Sequence, residues 1–293
     1  MAESGSGCLL CPRRCGAERS VEHGFCGCGD QMLIARAAPH YWEEPCISGT
    51  RGSGAVFFSG CTLKCIFCQN MEISRGKKGV PVTPEGLAEV MKRLCGAGVH
   101  NISFVTGTHF IPQILEALEQ FRPPVPLVWN SGGYEEVSSL RLLEGVIDVY
   151  LPDLKHVSSR LSRLCCGVED YFERACAAID EMTRQTGVPV YDEDGLMTRG
   201  TLIRHLVLPG CVQDALRVLD CVAERWPGIP VSLMRQYTPP AGIALPKPLD
   251  RRLKEGEYER AAEHMRTLVL PGYLQDGDSA DAAYTPPFDL TGL

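Results

Sequence analysis

The stretch AVFFSGCTLKCIFC, residues 55–68, joins a short apolar run to a loop that carries three cysteines. The run at 55–60 is apolar almost throughout, which is typical of a parallel strand covered on both faces. Similar runs recur along the chain, separated by stretches whose apolar residues stand three to four positions apart, as on one face of a helix. We predict six strands, at residues 55–60, 101–107, 126–132, 146–151, 201–208 and 230–237.

The alternation of strands and helices predicts parallel strands joined by right-handed crossovers. In the first helix, Thr83 is the predicted N-cap and Pro84 the first helical residue, with Leu87 and Met91 on one face. A GxGxxG phosphate-binding fingerprint, which would favour an open dinucleotide-binding sheet, does not occur. We therefore predict an α/β fold in the form of an incomplete (β/α)6 barrel over residues 54–270.

The segments on either side of this barrel differ from it in composition. Residues 1–53 are rich in Cys, Gly and Pro, which predicts a small N-terminal module attached to the barrel. Residues 271–293 are rich in Asp, Pro and Ala and show little periodicity, which predicts a C-terminal tail.

Composition narrows the class of protein. Of 293 residues, 44% are hydrophobic, which is ample for a buried core, and the net charge of −7 is not gathered into blocks. Without a basic stripe, nucleic acid is not an expected partner. No signal peptide or membrane-spanning run is recognisable, so we expect a cytoplasmic protein without a membrane partner. Fifteen cysteines, an odd number, favour metal ligation over a disulfide framework.

The C-x3-C-x2-C loop presents Cys61, Cys65 and Cys68 directly after the first strand. Three thiolates leave one iron of a [4Fe–4S] cubane without a protein ligand, whereas electron-transfer ferredoxins use four cysteines. The open iron can chelate the amino and carboxylate groups of S-adenosylmethionine (SAM), which places the sulfonium for one-electron reduction and homolysis to a 5′-deoxyadenosyl radical. A zinc knuckle is the competing interpretation, although structural zinc normally takes four ligands.

This loop, its position after the first strand and the repeat of six units resemble the radical SAM superfamily. Phe67 stands at the aromatic position before the last cysteine, and the resemblance implies that it packs near adenine. Gly60-Cys61 through Asn70, together with the strand ends, is similar to the pyruvate formate-lyase activating-enzyme-like group, over roughly residues 8–270.

Active sites of such barrels lie at the carboxyl ends of the strands. Where the superfamily has Gly-Gly-Glu, this chain has Val105 to His109, so we expect Thr106 and Thr108 to replace the missing carboxylate. For His109, contact with cofactor or substrate and a purely structural role are equally open interpretations. Asn130 and Ser131 resemble an Asp-Thr-Asn-Gly stretch near the cofactor, with Asn130 in place of the Asp.

The later strands add further candidate SAM contacts. Asp153-Leu154-Lys155 resembles the Asp-Leu-Lys of the family, and a carboxylate with a cation suits a zwitterion. Arg204 resembles a cofactor contact, and since neighbouring side chains on a strand alternate, Arg204 rather than His205 is expected to face the interior. Tyr237 falls where activating enzymes have a His.

The N-terminal module contains Cys8, Cys11, Cys15 and Cys26, followed by Cys28, on a Gly-rich segment. Four of these thiols, Cys8 to Cys26, can close a second metal site. Zinc and an auxiliary iron–sulfur cluster both suit such ligands, and unligated thiols are the third alternative.

We expect an oxidoreductase that generates the 5′-deoxyadenosyl radical and abstracts hydrogen from a substrate, supplied with electrons by a flavodoxin or ferredoxin. The resemblance implies a glycyl residue of a partner glycyl-radical enzyme as the substrate. A small molecule or a peptide is the first alternative, because one fold serves many substrates. A non-catalytic iron–sulfur or zinc redox protein is the second.

Overall fold

The computed structural model describes residues 7–75, 78–275 and 285–293; parts of the predicted N-terminal module (1–6) and tail (276–284) lie outside the described residues. The strands are β1 (Met32–His40), β2 (Ser53–Phe58), β3 (Val80–Val82), β4 (Ile102–Val105), β5 (Leu127–Ser131), β6 (Val149–Pro152), β7 (Val190–Tyr191), β8 (Met197–Thr201), β9 (Ile203–Leu206), β10 (Val231–Met234) and β11 (Gly272–Leu274). The α-helices are α1 (Pro45–Ser48), α2 (Met71–Ser74), α3 (Pro84–Gly96), α4 (Ile111–Gln120), α5 (Val137–Arg141), α6 (Ser159–Cys166), α7 (Tyr171–Thr186), α8 (Val212–Arg225) and α9 (Glu255–Thr267).

The strands form one large sheet with a smaller sheet at its end. The large sheet has the order β3-β1-β2-β4-β5-β6-β8-β7, and the small sheet has the order β11-β10-β9. The pairs from β2 through β4, β5 and β6 to β8 are parallel, as are the pairs of β10 with β9 and β11. A parallel bridge between Asp153 and Arg204 joins the end of β6 to β9, so the small sheet continues the curve of the large one.

The predicted incomplete barrel is confirmed, with its six units in the predicted order. The fifth strand differs, because it is divided into β8 and β9 at Leu202. The first half pairs with the start of β6, and the second half begins the small sheet. This division lets one stretch of chain turn the corner between the two sheets.

The edge of the sheet was not predicted. β1 lies in the segment predicted as the N-terminal module, yet it pairs antiparallel with β2 and β3. Within the predicted tail, β11 pairs with β10, and residues 285–293 pack along β1, where Ala37 N donates to Thr291 O at 2.9 Å. The buried Phe288 packs edge-on against Phe57, with the two ring centroids 5.5 Å apart.

The helices cover the outer face of the barrel. Thr83 caps α3 as predicted, its hydroxyl accepting from Gly86 N at 3.1 Å, and Leu87 and Met91 are fully buried. One apolar core lies between α3, α4 and the first strands, and another lies between α6 to α9 and the small sheet. The second core includes Leu63, Cys65 and Phe67, so the loop after β2 is anchored in it.

Among the described helices, none combines the length and the apolar character needed to cross a bilayer.

Candidate active site

The loop after β2 is shaped by two residues with positive φ, Gly60 at 85° and Lys64 at 54°. A side chain at Gly60 would lie 2.5 Å from Cys28 Sγ, so only glycine fits there. Cys68 N donates to Cys65 O at 3.2 Å, and Leu63 N donates to Cys61 Sγ at 3.4 Å. We call residues 61–68 the cluster loop; it carries its three cysteines at the carboxyl end of β2.

The three cysteines of the cluster loop influence one another electrostatically. Burial raises the pKa of Cys61 to about 12, and the adjacent Cys65 and Cys68 add to the increase. Burial likewise raises the pKa of Cys68, with Cys65 contributing. Gathered, desolvated thiolates are stable only beside a positive charge, which iron supplies.

Ligation requires the thiols to turn. Cys65 Sγ lies 3.4 Å from Cys166 Sγ at the end of α6, as a thiol–thiol contact. Within residues 7–75, 78–275 and 285–293, no three His, Cys, Asp or Glu side chains converge closely enough to hold a metal ion. Ligation by all three thiols therefore requires Cys65 Sγ to leave its contact with Cys166.

A cavity of about 210 Å³ opens beside the cluster loop. Its wall includes Cys65, Phe67, Cys68 and Asn70, and further lining residues come from the strand ends of the barrel, the chain after β1 and the C-terminal segment. These other lining residues include His40, Trp42, Glu43, Phe57, Val105, Asn130, Asp153, Lys155, Arg204, Leu206, Met234, Gln236, Thr285 and Pro286. The cavity therefore reaches from Cys65 and Cys68 to the charged residues at the ends of β6 and β9, and Cys61 does not line it.

Asp153 is the centre of the charged wall. It accepts from Lys155 Nζ at 2.5 Å and from Arg204 Nε at 3.1 Å. Burial opposes ionisation of Asp153, but the Lys155 and Arg204 cations outweigh it and hold the pKa of this carboxyl below its usual value. Burial would lower the pKa of Lys155, yet Asp153 raises it well above the ordinary value. All three groups are therefore charged at neutral pH.

Glu43 is a site residue that sequence reasoning missed. Its carboxylate accepts from Arg204 Nη1 at 3.1 Å and from Asn130 Nδ2 at 3.1 Å. Burial raises the pKa of Glu43, Arg204 opposes the increase and Asp153 adds to it. The only local indication of this site was the pair of adjacent acids Glu43 and Glu44, which lie in a segment interpreted as part of the N-terminal module. The pairing of β1 that brings Glu43 to the cavity joins residues far apart in the sequence.

The structure brings together part of the predicted set. Phe67, Asn70, Asn130, Asp153, Lys155 and Arg204 line the cavity with Cys65 and Cys68. Arg204 Nη2 donates to Asn130 Oδ1 at 2.5 Å, whereas His205 is buried behind the strand, with Nδ1 2.7 Å from Leu154 O.

Other predicted residues lie beneath the cavity wall rather than in it, as far as the described residues show. Thr108 donates to the buried Glu135 at 2.7 Å, and Ser131 Oγ accepts from Gly133 N. Tyr237 donates to Leu249 O at 2.5 Å and contacts Phe67, with ring centroids 6.2 Å apart. The backbone of Thr106 has φ 60° and its N–H donates to Asn130 O. These residues support the strand ends.

His109 was left open between a ligand contact and a structural role. Its Nε2 lies 2.8 Å from Ser59 O, and burial lowers its pKa to about 4. The neutral ring joins β2 to the turn after β4 on the side of the N-terminal cysteines, where it contributes to structure.

The residues fit an iron–sulfur cluster with a bound zwitterion. Three thiols share one loop, and the N–H of Leu63 points to a sulfur, as is usual around cluster thiolates. The adjacent cavity offers carboxylates and cations together. Three thiols on one loop, next to a cavity lined by charged groups at the barrel mouth, are typical of an enzyme that binds a small charged cofactor beside an iron–sulfur cluster. This is the class of protein to which the site points.

The chain belongs to the radical SAM superfamily, which it matches over residues 55–210. Members use a [4Fe–4S] cluster and SAM, so these are its cofactors and it is a radical SAM enzyme. It is 30% identical over 268 residues to an uncharacterized protein of Methanocaldococcus jannaschii, covering 87% of this chain and 73% of the relative.

Solved structures share the fold. A radical SAM methyltransferase from Sphaerobacter thermophilus has a TM-score of 0.53 at 14% identity, over 75% of this chain and 65% of that one. The protein anSMEcpe, solved with bound AdoMet, has a TM-score of 0.52 at 16% identity, over 74% and 61%. This chain thus spans less than two thirds of either protein, and such low identities show the fold alone.

Proposed function

We propose that Cys61, Cys65 and Cys68 bind the [4Fe–4S] cluster and that SAM occupies the adjacent cavity. When bound, the cluster supplies the electron that cleaves SAM to methionine and a 5′-deoxyadenosyl radical, which abstracts hydrogen from the substrate. The observation that carries the proposal is the opening of the cavity between the cluster loop and the charged ends of β6 and β9.

The charged wall suits the methionine end of SAM. Lys155 and Arg204 offer donors to a carboxylate, and Asp153 and Glu43 offer acceptors to an ammonium group. Because these groups already hold one another in ion pairs, they need little reorganisation on binding. Phe67 and Asn70 line the same cavity nearer the loop, where an adenine ring can pack against the aromatic side chain.

We propose a glycyl residue of a partner enzyme as the substrate, in the manner of the pyruvate formate-lyase activating-enzyme-like group. Tyr41 and Trp42 support a protein substrate, because they are 53% and 57% exposed and Trp42 also lines the cavity. Exposed aromatic side chains beside a cavity are typical of protein contact surfaces. Lys64 in the cluster loop and Arg75 beside it suit a negatively charged electron donor such as a flavodoxin or ferredoxin.

The radical step is tested by anaerobic reconstitution with iron and sulfide, reduction with dithionite, and quantification of 5′-deoxyadenosine after addition of SAM. We expect product from the unchanged chain and none from the Cys61→Ala, Cys65→Ala, Cys68→Ala triple variant. The matched control replaces Cys46, Cys95 and Cys176 by alanine and should retain the product. A fully loaded cluster that yields no product would refute the proposal.

The substrate is tested with candidate glycyl-radical enzymes prepared with deuterated glycine. We expect deuterium in 5′-deoxyadenosine and a glycyl radical signal in the electron paramagnetic resonance spectrum of the partner. If 5′-deoxyadenosine forms without deuterium from any such partner, and peptides or small molecules supply the hydrogen instead, the activase assignment is wrong while the radical chemistry stands.

A further inference from the structure

The N-terminal segment 7–31 folds without its own apolar core. It contains no helix, and no strand begins before Met32. Its larger apolar side chains face solvent, with Leu9 51%, Val21 77% and Phe25 41% exposed, whereas Cys11, Cys26 and Cys28 are buried. Its cysteines are free thiols rather than disulfides. So short a segment cannot stabilise itself by apolar burial, so its stability depends on its contacts with the barrel and on any link between its thiols.

Backbone hydrogen bonds draw together the chain around the first three cysteines of the segment. Cys8 N donates to Ala17 O at 2.9 Å and Gly16 N donates to Cys8 O at 3.2 Å, which sets Cys8 beside the residues that follow Cys15. Arg14 N donates to Cys11 O at 2.9 Å and closes the turn between Cys11 and Cys15.

The side chains complete this gathering. A Cβ at Gly24 would lie 3.2 Å from Cys15 Sγ and 3.6 Å from Cys26 Sγ, so both sulfurs pack on this glycine. Cys11 and Cys26 are buried, whereas Cys8 is half-buried and Cys15 is exposed.

We propose that Cys8, Cys11, Cys15 and Cys26 together bind one structural zinc ion. Four thiolates close the tetrahedral shell of zinc, and the Cys8-x2-Cys11 spacing is the usual one for such sites. As in the cluster loop, the thiols must turn about Cα–Cβ to reach ligand distances. Cys28 is left outside the proposed site, since four thiolates already complete the shell and its own thiol donates to Ser59 O at 3.3 Å.

This site is coupled to the cluster loop through Arg13, which stands between two of the proposed ligands. Arg13 Nε donates to Thr62 O at 2.9 Å, inside the cluster loop, and Nη2 donates to Cys166 O at 2.9 Å. In addition, Cys61 N donates to Cys26 O at 3.3 Å. A zinc ion that fixes Cys11, Cys15 and Cys26 therefore also fixes the groups that hold the cluster loop in place.

Zinc binding is tested by measuring metal and acid-labile sulfide in the full chain carrying Cys61→Ala, Cys65→Ala and Cys68→Ala, which keeps the result independent of the radical cluster. We expect about one zinc per chain and no sulfide. Adding Cys11→Ser or Cys26→Ser should remove the zinc, whereas the control Cys46→Ser should keep it. Absence of metal overturns the proposal, and iron with sulfide overturns it in favour of an auxiliary cluster.

The coupling is tested separately with Arg13→Ala in the otherwise unchanged chain. We expect zinc to remain at the level of the unchanged chain, which shows that the segment is folded, and iron uptake into the cluster loop to fall several-fold after reconstitution. Arg14→Ala is the control, since the Arg14 guanidinium pairs with Glu136 rather than with the loop. Full iron uptake by Arg13→Ala would show that the two sites are independent.

Discussion

The cluster loop and the N-terminal segment 7–31 both present cysteines from irregular chain, yet their surroundings differ. The cluster loop follows a buried parallel strand, is anchored in the core by Leu63 and Phe67, and borders a charged cavity. The N-terminal segment lies outside the barrel, exposes Leu9, Val21 and Phe25, and meets the barrel through arginines and through the buried Cys26 and Cys28, which join its core.

The two regions therefore illustrate two uses of cysteine as a metal ligand. A site with three thiols beside a cavity leaves room for a cofactor and for chemistry, whereas a closed site of four thiols holds the chain together. Cysteine spacing predicts that both segments bind metal. The role of each metal depends on its surroundings. A metal beside a cavity can bind a cofactor, whereas a metal enclosed by protein ligands can only stabilise the fold.

The largest expected effect is the loss of SAM cleavage when a cysteine that binds the cluster is replaced, compared with a neighbouring cysteine that does not. Cys65 and Cys166 have sulfurs 3.4 Å apart, but only Cys65 belongs to the cluster loop. We expect Cys65→Ser to abolish formation of 5′-deoxyadenosine and Cys166→Ser to retain it, because serine leaves a second iron without a thiolate in the first variant alone. Equal losses in both variants would mean that Cys166 also serves the cluster.

The next prediction concerns the charged wall of the cavity beside the cluster loop. Asp153→Asn breaks a buried group of charges, so we expect the dissociation constant of SAM to rise about 30-fold or more while iron content is unchanged. Equilibrium dialysis of the reconstituted protein measures this. Asp220→Asn, at an exposed ion pair on α8, is the control. Unchanged SAM affinity in Asp153→Asn would contradict the proposed cofactor site.

A third prediction concerns the support behind the cluster loop, where buried His156 lies 3.6 Å from Asp214 and contacts Phe67. Burial disfavours the charged ring, but Asp214 and Cys165 raise the pKa of His156 above its ordinary value of 6.5. A raised histidine pKa stabilises the fold fully below 6.5, and this contribution is lost as the pH rises through the raised value.

We therefore expect Asp214→Asn to lower the free energy of unfolding by about 3–4 kcal/mol at pH 6 and by less at pH 9. Anaerobic denaturation in urea at both pH values measures the difference. Asp192→Asn, which alters an exposed turn carboxylate, should change stability little at either pH. A loss independent of pH would mean that the bonds from Asp214 to Val157 N and Ser158 N, rather than His156, account for it.

The smallest expected effect compares one substitution in the two regions. Leu63 is 3% exposed in the cluster loop, and Leu9 is 51% exposed in the N-terminal segment. We expect Leu63→Ala to cost about 2–3 kcal/mol of unfolding free energy and Leu9→Ala under about 0.5 kcal/mol. Urea denaturation of both variants measures this, and a comparable loss at Leu9 would show that apolar packing, not metal, stabilises the segment.

Much of the barrel is predictable because it follows from local patterns. Apolar runs and helical spacing predicted the six units, and the cap at Thr83 lies where its side chain indicated. The edge strands β1 and β11 escaped prediction, since their pairing partners are distant in sequence and their own patterns are weak. For the same reason the segments before and after the barrel were interpreted as separate from it.

By itself, the sequence determined the six alternating strand–helix units, the position of the cluster loop and the residue types at the strand ends, because motif spacing and hydrophobic period are local properties. Only the tertiary structure decided that Glu43 joins Asp153 and Arg204, that Tyr237 and Thr108 lie beneath the wall, and that Arg13 holds the cluster loop. These contacts join residues far apart in the chain. Their formation depends on how β1 and the N-terminal segment pack against the completed barrel, which no local pattern encodes.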